Sequence, residues 1–468
     1  MLCNKGRHKF LNLQFFLAQS VPDERNVLCY FIIYTIISIL AAVWVIVRCQ
    51  EPRVAWGWAL AMVLCMPLAL LLYYLCEVER EVSGEVSVRS SYSRLQNLIA
   101  NGCGSAVTLH NRVRALHSGD ETFAALLRDV QRARYEINVE YYILVCDRIG
   151  KALLSVLMRR SRAGVKVRII YDAVGSWRIT RKERERIAQS GIEIRPFAPV
   201  RFPWLTREVH RRNHRKVVVI DGRIAYIGGV NIARRYMGGR TGVWRDEHLR
   251  VEGAAAYQAL LLFARDWRTA GGDIKVGTSV VPQVQSICPM QIAWSQRGRS
   301  RKTLQHMFVE TISSARHAVR ISTPYFLPSE SLLEAIIIAA RSGVKVELVI
   351  PRSCDVRVVE LAAQSYIERC VSAGVEVYRY GGGFLHAKSI SVDDGVAIVG
   401  SANLDSRSLD YNMEVAAVIY NRAVVAGYIS RFNADVALSD RVPHEEFAHI
   451  GFGRRLKQAL ARLLAPIL

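Results

Sequence analysis

The hydrophobic pattern near the start of the chain consists of two long runs without a charged residue. Residues 27–47 form a run of 21 and residues 54–76 a run of 23, and the short polar segment RCQEPR separates them. Each run is long enough to cross a hydrocarbon layer of about 30 Å as a helix. The pair predicts a transmembrane helical hairpin, in which Pro67 is tolerated because the second helix lies in a membrane.

Cationic residues beside these runs predict their orientation. Arg48 and Arg53 flank the turn, and four cationic residues precede the first run: Lys5, Arg7, Lys9 and Arg25. The positive-inside rule then places both ends in the cytoplasm, so the rest of the chain is expected on the cytoplasmic side of a bacterial inner membrane. A cleaved signal peptide is the poorer interpretation, because the first run is too long and a second follows at once.

Farther along, the pattern changes to alternating helices and strands. Residues 120–133 have helical spacing with Asp120 as the expected N-cap. Strand-like runs at 135–144 and 165–172 flank a second helix, which Gly164 closes. Alternation of this kind favours helices on both faces of a mostly parallel sheet.

The alternating region occurs twice. RAGVKVRII at 162–170 matches RSGVKVELVI at 341–350, and QSGIEIRPF at 189–197 corresponds to SAGVEVYRY at 372–380. Similarity at so long a period predicts a duplicated domain. The predicted fold class is α/β, a two-span hairpin followed by a duplicated α/β/α sandwich with pseudo-two-fold symmetry. The predicted divisions are an N-terminal cytoplasmic segment (1–26), the hairpin (27–76), a linker (77–119), the first half (120–270), a connecting segment (271–303), the second half (304–435) and a basic amphipathic C-terminal tail (436–468).

Charge and cysteine content limit the partners. The chain carries 63 Lys and Arg against 41 Asp and Glu, a formal net charge of +22. This balance implies an anionic partner, which is a nucleic acid, an anionic membrane surface or a phosphate-bearing substrate. The ten cysteines form no CxxC pair or Cys–His cluster. They predict reduced thiols and no metal site.

The most informative polar pattern is HRKVVVIDGRIAYIGGVN at 214–231, which returns as HAKSISVDDGVAIVGSAN at 386–403. A single HxK on a strand is usually an ordinary polar surface pair. Two copies at identical spacing within matched halves indicate a shared site. The corresponding residues are His214 and His386, Lys216 and Lys388, Asp221 and Asp393, Gly228 and Gly400, and Asn231 and Asn403.

The spacing suggests phosphate chemistry. A strand period of two places the histidine and lysine of each copy on one face, about 7 Å apart, where both reach one phosphate. The lysine supplies fixed charge, and a histidine with a pKa of about 6.5 is available as a neutral nucleophile. The aspartate is expected in the turn after the strand, shaping the turn or orienting a neighbour. Glycine and asparagine after the next strand permit close approach to a phosphate.

The two segments resemble the paired HxKx4D motifs of the phospholipase D superfamily. TPYFLP at 323–328, GGGFLHAKS at 381–389 and SANLDSRSLDYNMEV at 401–415, with the two leading spans, resemble its bacterial cardiolipin synthases. The resemblance covers nearly the whole chain and is weakest over the first 26 residues. It implies that the two motifs meet at one active site across a pseudo-two-fold interface, without a cofactor or metal.

The resemblance also implies a mechanism of two displacements at phosphorus. One histidine attacks the phosphodiester and forms a phosphohistidine, and the other protonates the leaving alcohol and then deprotonates the incoming one. By family habit His214 is the nucleophile and His386 the acid and base, although the sequence leaves their order open because the halves are equivalent. The motif lysines and asparagines would stabilise charge on the phosphate oxygens.

Supporting residues follow from the same resemblance. An acidic residue is expected to orient the opposite histidine, namely Glu414 in the second half and, as second choice, Asp246 in the first. Ser401 stands where the first half has Gly229 and adds a hydroxyl donor. The predicted catalytic residues are His214, Lys216, Asp221, His386, Lys388 and Asp393, and the predicted phosphate-binding or supporting residues are Asn231, Asn403, Ser401 and Glu414.

The implied substrates are two molecules of phosphatidylglycerol, which give cardiolipin and glycerol. The predicted partners are therefore this anionic phospholipid and a membrane, with no nucleic acid and an undetermined oligomeric state. The basic segment 207–216 either gathers anionic headgroups or is a solvated face. The end of the chain, 452–468, either lies in the membrane interface or packs on the catalytic body.

Three alternatives stay open. A membrane phospholipase D or transphosphatidylase would keep the chemistry and use water or another alcohol as acceptor. A nuclease of the same superfamily would suit the basic charge, but the two spans and the few aromatics in the basic segment argue against it. A catalytically silent membrane scaffold would leave both intact motifs without a use.

Overall fold

The computed structural model describes residues 24–48, 52–76, 87, 91, 93–200, 211–238, 244–277, 284–296 and 300–463. Several predicted segments lie wholly or partly outside these described residues, including parts of the hairpin turn, the first half and the connecting segment. The others are the N-terminal segment, most of the linker up to residue 92, the start of the basic segment 207–216, and the last five residues of the tail. The chain divides into two compact units, Met1–Glu77 and Val78–Leu468.

The first unit is a pair of apolar helices, α1 (Glu24–Arg48) and α2 (Pro52–Cys76). Both are long and apolar enough to cross a membrane. Small residues such as Ala42 and Ala59 pack between them, while most of their large apolar side chains are exposed. This distribution suits helices surrounded by lipid, where close packing uses small residues. Pro67 lies within α2, as expected from the sequence.

The first described helix of the second unit is α3 (Arg94–Cys103), and two similar halves follow it. The first half comprises β1 (Thr108–Ser118), α4 (Gly119–Arg132), β2 (Glu136–Tyr141), α5 (Arg148–Arg162), β3 (Lys166–Asp172), α6 (Arg181–Ala188), β4 (Glu193–Phe197), β5 (Lys216–Ile220), β6 (Ile224–Gly228), β7 (Trp244–Gly253) and α7 (Ala254–Thr269). The second half comprises β8 (Ile287–Ser295), α8 (Thr303–Ser313), β9 (Ala318–Ser322), β10 (Phe326–Leu327), α9 (Glu330–Arg341), β11 (Lys345–Pro351), α10 (Arg357–Ser372), β12 (Glu376–Tyr380), β13 (Phe384–Leu385), β14 (Ser389–Val392), β15 (Val396–Gly400), β16 (Leu404–Asp405), β17 (Glu414–Ile419) and α11 (Arg422–Ala437). Strand β18 (Ser439–Arg441) and helix α12 (Phe452–Leu463) follow.

One long sheet runs through both halves. Its order is β18-β12-β11-β9-β14-β15-β17-β8-β1-β7-β6-β5-β2-β3-β4, with β13 added beside β7. The seven strands from β12 to β8 correspond one for one to the seven from β4 to β1, and the two sets meet at the antiparallel pair β1–β8. The order confirms the duplicated α/β fold and its pseudo-two-fold symmetry.

The prediction of a mostly parallel sheet is wrong. Within each half of the long sheet, the parallel pairs are β2-β3-β4 in one and β9-β11-β12 in the other. Helices connect these strands, whereas β5, β6 and β7, like β14, β15 and β17, pair antiparallel. Helical crossovers produce parallel pairs and short turns produce antiparallel hairpins. Strands β1 and β8 also lie outside the predicted divisions 120–270 and 304–435.

The start of α4 also differs from the prediction. Its N-cap is Ser118, whose hydroxyl accepts a hydrogen bond from the backbone of Glu121, and Asp120 already lies in the first turn. Ser118 has an extended backbone, which an N-cap requires, and the carboxylate of Asp120 remains favourable near the positive end of the helix. Gly164 follows α5 with φ +90°, so the predicted helix-closing glycine is confirmed.

Candidate active site

The first motif histidine is positioned by the second half of the molecule. Asn213 forms an isolated parallel bridge with Met413, and the backbone N–H of His214 donates to the Met413 carbonyl over 3.0 Å. This pairing brings His214 beside Glu414, the first residue of β17. Nδ1 of His214 lies 2.8 Å from Oε1 of Glu414. The acidic partner predicted for the opposite histidine therefore lies in contact with it.

The second motif histidine has the reciprocal arrangement. Strand β13 pairs with the start of β7, and the N–H of His386 donates to the Arg245 carbonyl over 2.7 Å. Nδ1 of His386 then lies 2.6 Å from Oδ2 of Asp246. The second-choice acid of the sequence analysis thus corresponds in position to Glu414. Each histidine is held by a carboxylate from the other half.

Burial and charge set the protonation of these pairs. Burial lowers the pKa of His214, and burial with nearby Lys388 lowers that of His386 to about 4. Burial alone would raise the pKa of Glu414 and of Asp246, but the facing histidine and lysines outweigh it and keep both below their ordinary values. At neutral pH each pair is a neutral imidazole beside a carboxylate. We assign the proton to Nδ1, which leaves a lone pair on Nε2 for chemistry.

The motif lysines are buried next to the histidines. Nζ of Lys216 donates to the carbonyl of His214 over 2.6 Å, and Nζ of Lys388 donates to that of His386 over 2.5 Å. Burial lowers the pKa of Lys216 to about 7 and that of Lys388 to about 8. Each lysine also lowers the pKa of the histidine in the opposite motif. The two motifs therefore share one electrostatic environment.

The motif aspartates, grouped with the catalytic residues in the prediction, lie elsewhere. Asp221 follows the far end of β5, at φ +52°, and its carboxylate accepts three backbone N–H groups over 2.7 to 2.9 Å. Asp393 does the same after β14. A five-residue strand separates Asp221 from the histidine end, a distance of about 17 Å. The aspartates fix turns, as their position after the strand suggested, and lie apart from the histidines and lysines.

The two motif asparagines have different surroundings. The side-chain oxygen of Asn231 accepts from the N–H of Ile143 over 3.1 Å, and its nitrogen donates to the hydroxyl of Tyr236 over 2.6 Å. Its amide therefore holds a loop and an aromatic ring instead of facing a phosphate. Among the described residues, the buried side-chain oxygen of Asn403 has no hydrogen-bond partner.

The position shared by Ser401 and Gly229 differs between the halves. The hydroxyl of Ser401 donates to Glu414 and accepts from the N–H of Val415 over 3.0 Å. The predicted hydroxyl donor thus acts on the acidic partner. A Cβ on Gly229 would lie 2.1 Å from Oδ1 of Asp246, so only glycine leaves room for that carboxylate.

A buried polar cluster behind His214 was not predicted. The guanidinium of Arg215 donates to the carbonyls of Glu414 and Ser295 over 3.2 and 2.8 Å and pairs with Asp266. Burial and Asp266 raise the pKa of Glu140, which lies beside this pair, well above its ordinary value. Arg215 occupies the unspecified position of HxK, and its partners lie far away in sequence. No local signal could have identified them.

Aromatic rings surround both histidines and were not singled out by the sequence. The ring of Tyr142 lies 4.8 Å from that of His214. Trp244 and Tyr236 lie 5.3 and 5.5 Å from His386. In the described parts of the chain, no cluster of three or more His, Cys, Asp or Glu has metal-binding geometry. The site is a pair of neutral histidines and two lysines within aromatic walls, an arrangement suited to a phosphodiester.

Comparison with known proteins places these features in a family. A family model described as "Cardiolipin synthase, PLD-like domain" matches residues 126–260 and 308–436. The chain is 36% identical to "Cardiolipin synthase 2" of Bacillus cereus over 369 residues, covering 77% of this chain and 72% of that protein. It is 36% identical to a cardiolipin synthase of Geobacillus kaustophilus, covering 77% and 73%. The crystal structure of phosphatidylserine synthase from Haemophilus influenzae has the same fold, with a TM-score of 0.60 and 15% identity over 76% of this chain and 95% of that one.

Proposed function

The chain belongs to the cardiolipin synthases of the phospholipase D-like family, and from this membership we propose how its own residues make cardiolipin. Nε2 of His214 attacks the phosphorus of one phosphatidylglycerol. The N–P bond forms as the P–O bond to glycerol breaks. His386, which takes up a proton on Nε2 from solvent when the anionic lipid binds, gives that proton to the departing oxygen. His386 then removes the proton from a hydroxyl of a second phosphatidylglycerol, whose oxygen attacks phosphorus and releases His214. The products are cardiolipin and glycerol.

The crossed contacts between carboxylate and histidine carry this proposal. Each carboxylate holds the Nδ1 proton of its histidine, so both Nε2 atoms are presented in the form that nucleophilic and base catalysis need. His214 is the more accessible ring, with 13% of its side chain exposed against 8% for His386, which supports its role as nucleophile. Lys388 lowers the pKa of His386. The negative charge of the bound phosphodiester offsets the charge of Lys388, so it raises the pKa of His386 and helps this histidine carry the proton that it gives to the leaving oxygen.

The lysines and the aromatic rings complete the proposed site. The ammonium groups of the motif lysines are held in the site, because Nζ of each donates to the carbonyl of the histidine in its own motif. They stabilise the negative charge that spreads over the equatorial oxygens in each displacement. The rings of Tyr142, Trp244 and Tyr236 restrict water, which is the competing acceptor.

The test is lipid mass spectrometry of the full chain with purified phosphatidylglycerol, followed by isolation of the phosphorylated histidine. We expect cardiolipin and glycerol from the unaltered chain, none from His214→Ala, and a normal yield from His449→Ala, which removes an exposed histidine. Phosphatidic acid as the main product would indicate a phospholipase D. A lipid adduct on His386 would reverse the proposed roles, and full synthesis by the double histidine variant would overturn the site.

The two apolar helices and the cardiolipin synthase relatives indicate a membrane protein. We propose that the helices form a two-span hairpin and that the catalytic unit lies in the cytoplasm of a bacterial cell, which is supported by the cationic residues before the first span. Protease treatment of right-side-out and inverted membrane vesicles tests this orientation. Digestion of the catalytic unit in right-side-out vesicles would contradict it.

A further inference from the structure

The C-terminal helix α12 presents an apolar stripe to solvent. The side chains of Phe452, Leu456, Leu460 and Leu463 are 82%, 47%, 55% and 75% exposed. Their spacing of four, four and three residues places them within about 80° of arc on a helix of 3.6 residues per turn. A helix on the surface of a soluble protein turns such a stripe toward the core. This helix turns it outward.

The opposite face of α12 is attached to the catalytic unit. Gln458 and Ala461 are buried against α10, and Nε2 of Gln458 donates to Oε1 of Gln364 over 2.6 Å. Arg454 donates to the same oxygen over 3.1 Å. The orientation of the helix is thus fixed by polar contacts, so the stripe is directed away from the body. The sequence left open whether this segment packs on the catalytic body or lies in the membrane interface. One face of the helix packs on the body, and the opposite face is exposed and available to an interface.

Cations flank the stripe on both sides. Lys457 lies about 100° from the middle of the stripe in one direction, and Arg455 and Arg462 lie about 100° and 120° away in the other. The described helix contains four cations and no acidic residue. An apolar stripe between two basic flanks fits an anionic lipid surface, with the apolar side chains among the acyl chains and the cations at the phosphates.

The position of α12 next to a cavity also favours lipid over a second copy of the chain. Arg454 lines a cavity of about 430 Å³, which is also lined by Tyr325, just before β10, and by Phe326, the first residue of β10. The hydroxyl of Tyr325 donates to Asp355 over 2.8 Å, and the charge of Asp355 offsets a small part of the lowering of the Lys388 pKa by burial. The helix therefore borders a cavity, and one lining residue of that cavity, Tyr325, is hydrogen-bonded to a carboxylate that acts on a motif lysine. A membrane against this helix would bring lipid to that cavity.

We propose that α12 is a membrane-binding element of the catalytic unit, which lies flat in the headgroup region of an anionic membrane with its four large apolar side chains inserted. This attachment is separate from the apolar helices of the first unit. It does not depend on the reaction or on the roles of the histidines.

Site-specific photocrosslinking in the full chain tests the proposal. A benzophenone amino acid replaces Leu456 or Leu460, and in a control it replaces Ile338, an exposed apolar residue of α9 without a neighbouring stripe. The chain is reconstituted into vesicles of phosphatidylglycerol and phosphatidylcholine that contain a radiolabelled lipid. After illumination, label bound to the protein measures contact with lipid, and gel mobility reports protein–protein adducts.

We expect lipid adducts at Leu456 and Leu460 and few at Ile338. Each cation close to an anionic surface contributes about fivefold to binding, so adduct yield should fall about fivefold or more in vesicles of phosphatidylcholine alone. The triple variant Arg455→Gln, Lys457→Gln and Arg462→Gln should reduce the yield similarly. Adducts between two chains would show that a second copy covers the stripe, and equal labelling at all three probe positions would show no specific insertion. Either result would overturn the proposal, whatever the enzyme's activity.

Discussion

The two carboxylates that hold the histidines have different hydrogen-bond partners, and this difference predicts unequal effects of the matched substitutions Glu414→Gln and Asp246→Asn. Each substitution removes one charge and keeps the shape of the side chain. If the carboxylates acted only through charge, the two variants would lose the same activity. The hydrogen bonds of the second carboxylate oxygen indicate that they will not.

In Glu414→Gln, the new amide fits its surroundings. Its oxygen replaces Oε1 as acceptor from His214, and its nitrogen faces Ser401, where Oε2 was. The hydroxyl of Ser401 accepts from this nitrogen and turns to the carbonyl of Val415, 3.3 Å away. His214 thus keeps its proton on Nδ1. The loss is the difference between a charged and a neutral hydrogen bond, about 1 to 2 kcal/mol, or about 5- to 30-fold in kcat.

In Asp246→Asn, no orientation of the amide satisfies both neighbours. Oδ1 accepts the backbone N–H of Glu247 over 2.8 Å, so an oxygen kept there turns the nitrogen toward His386 and moves its proton to Nε2. In the reverse orientation the amide oxygen faces His386 and the amide nitrogen faces the backbone N–H of Glu247. Two donors then point at each other, and the buried N–H of Glu247 has no acceptor. That costs a further 1 to 3 kcal/mol, about 5- to 150-fold. Close contact with Gly229 prevents the side chain from moving away.

The assay is the initial rate of cardiolipin formation in mixed micelles of phosphatidylglycerol and detergent, with kcat corrected for the folded fraction by gel filtration. We expect Asp246→Asn to be slower than Glu414→Gln by about tenfold or more. Equal losses in kcat would refute the reasoning from the second oxygen. A larger loss for Glu414→Gln would refute it as well, and would point instead to a charge requirement at His214.

Three other predictions concern the turn, the glycine and pH. Asp221→Ala removes a carboxylate that three N–H groups share and should lower the free energy of unfolding by about 3 kcal/mol in denaturant titrations, while kcat of the folded fraction stays unchanged. Gly229→Ala should lower kcat by about tenfold or more by displacing Asp246, whereas Gly395→Ala, which meets nothing within 4 Å, should not. His386 must carry a proton in the first displacement, and burial lowers its pKa to about 4, so kcat/KM should be higher at pH 6 than at pH 7. The fall should steepen through pH 7 to 8, where the motif lysines, with pKa values of about 7 and about 8, lose their charge. A profile that rises through pH 7 would contradict these protonation states.

The features that local sequence patterns predict are those encoded by spacing. Hydrophobic run length predicts α1 and α2, and identical spacing pairs the two motifs. Glu414 was expected only from the family resemblance that those motifs carry. Strand β1 escaped prediction because it contains His110, Asn111 and three arginines or histidines beyond them, so it resembles a polar linker. Its place in the sheet comes from long-range pairing with β7 and β8. Sheet direction and the Arg215 cluster depend on the same kind of tertiary contact, which no local pattern records.

The crossed arrangement explains why the duplicated halves are inseparable in function. Glu414 lies 200 residues from the histidine it holds, and Asp246 lies 140 residues from its own. A half alone would therefore contain a histidine without its carboxylate and a buried carboxylate without its cationic surroundings, which is costly. Duplication supplies one site with two histidines in equivalent surroundings. The substitution of serine for glycine beside one carboxylate then lets the two histidines differ. Replacing this serine by the glycine of the other half, Ser401→Gly, should therefore weaken the hold of Glu414 on His214 and leave the contact of His386 with Asp246 intact.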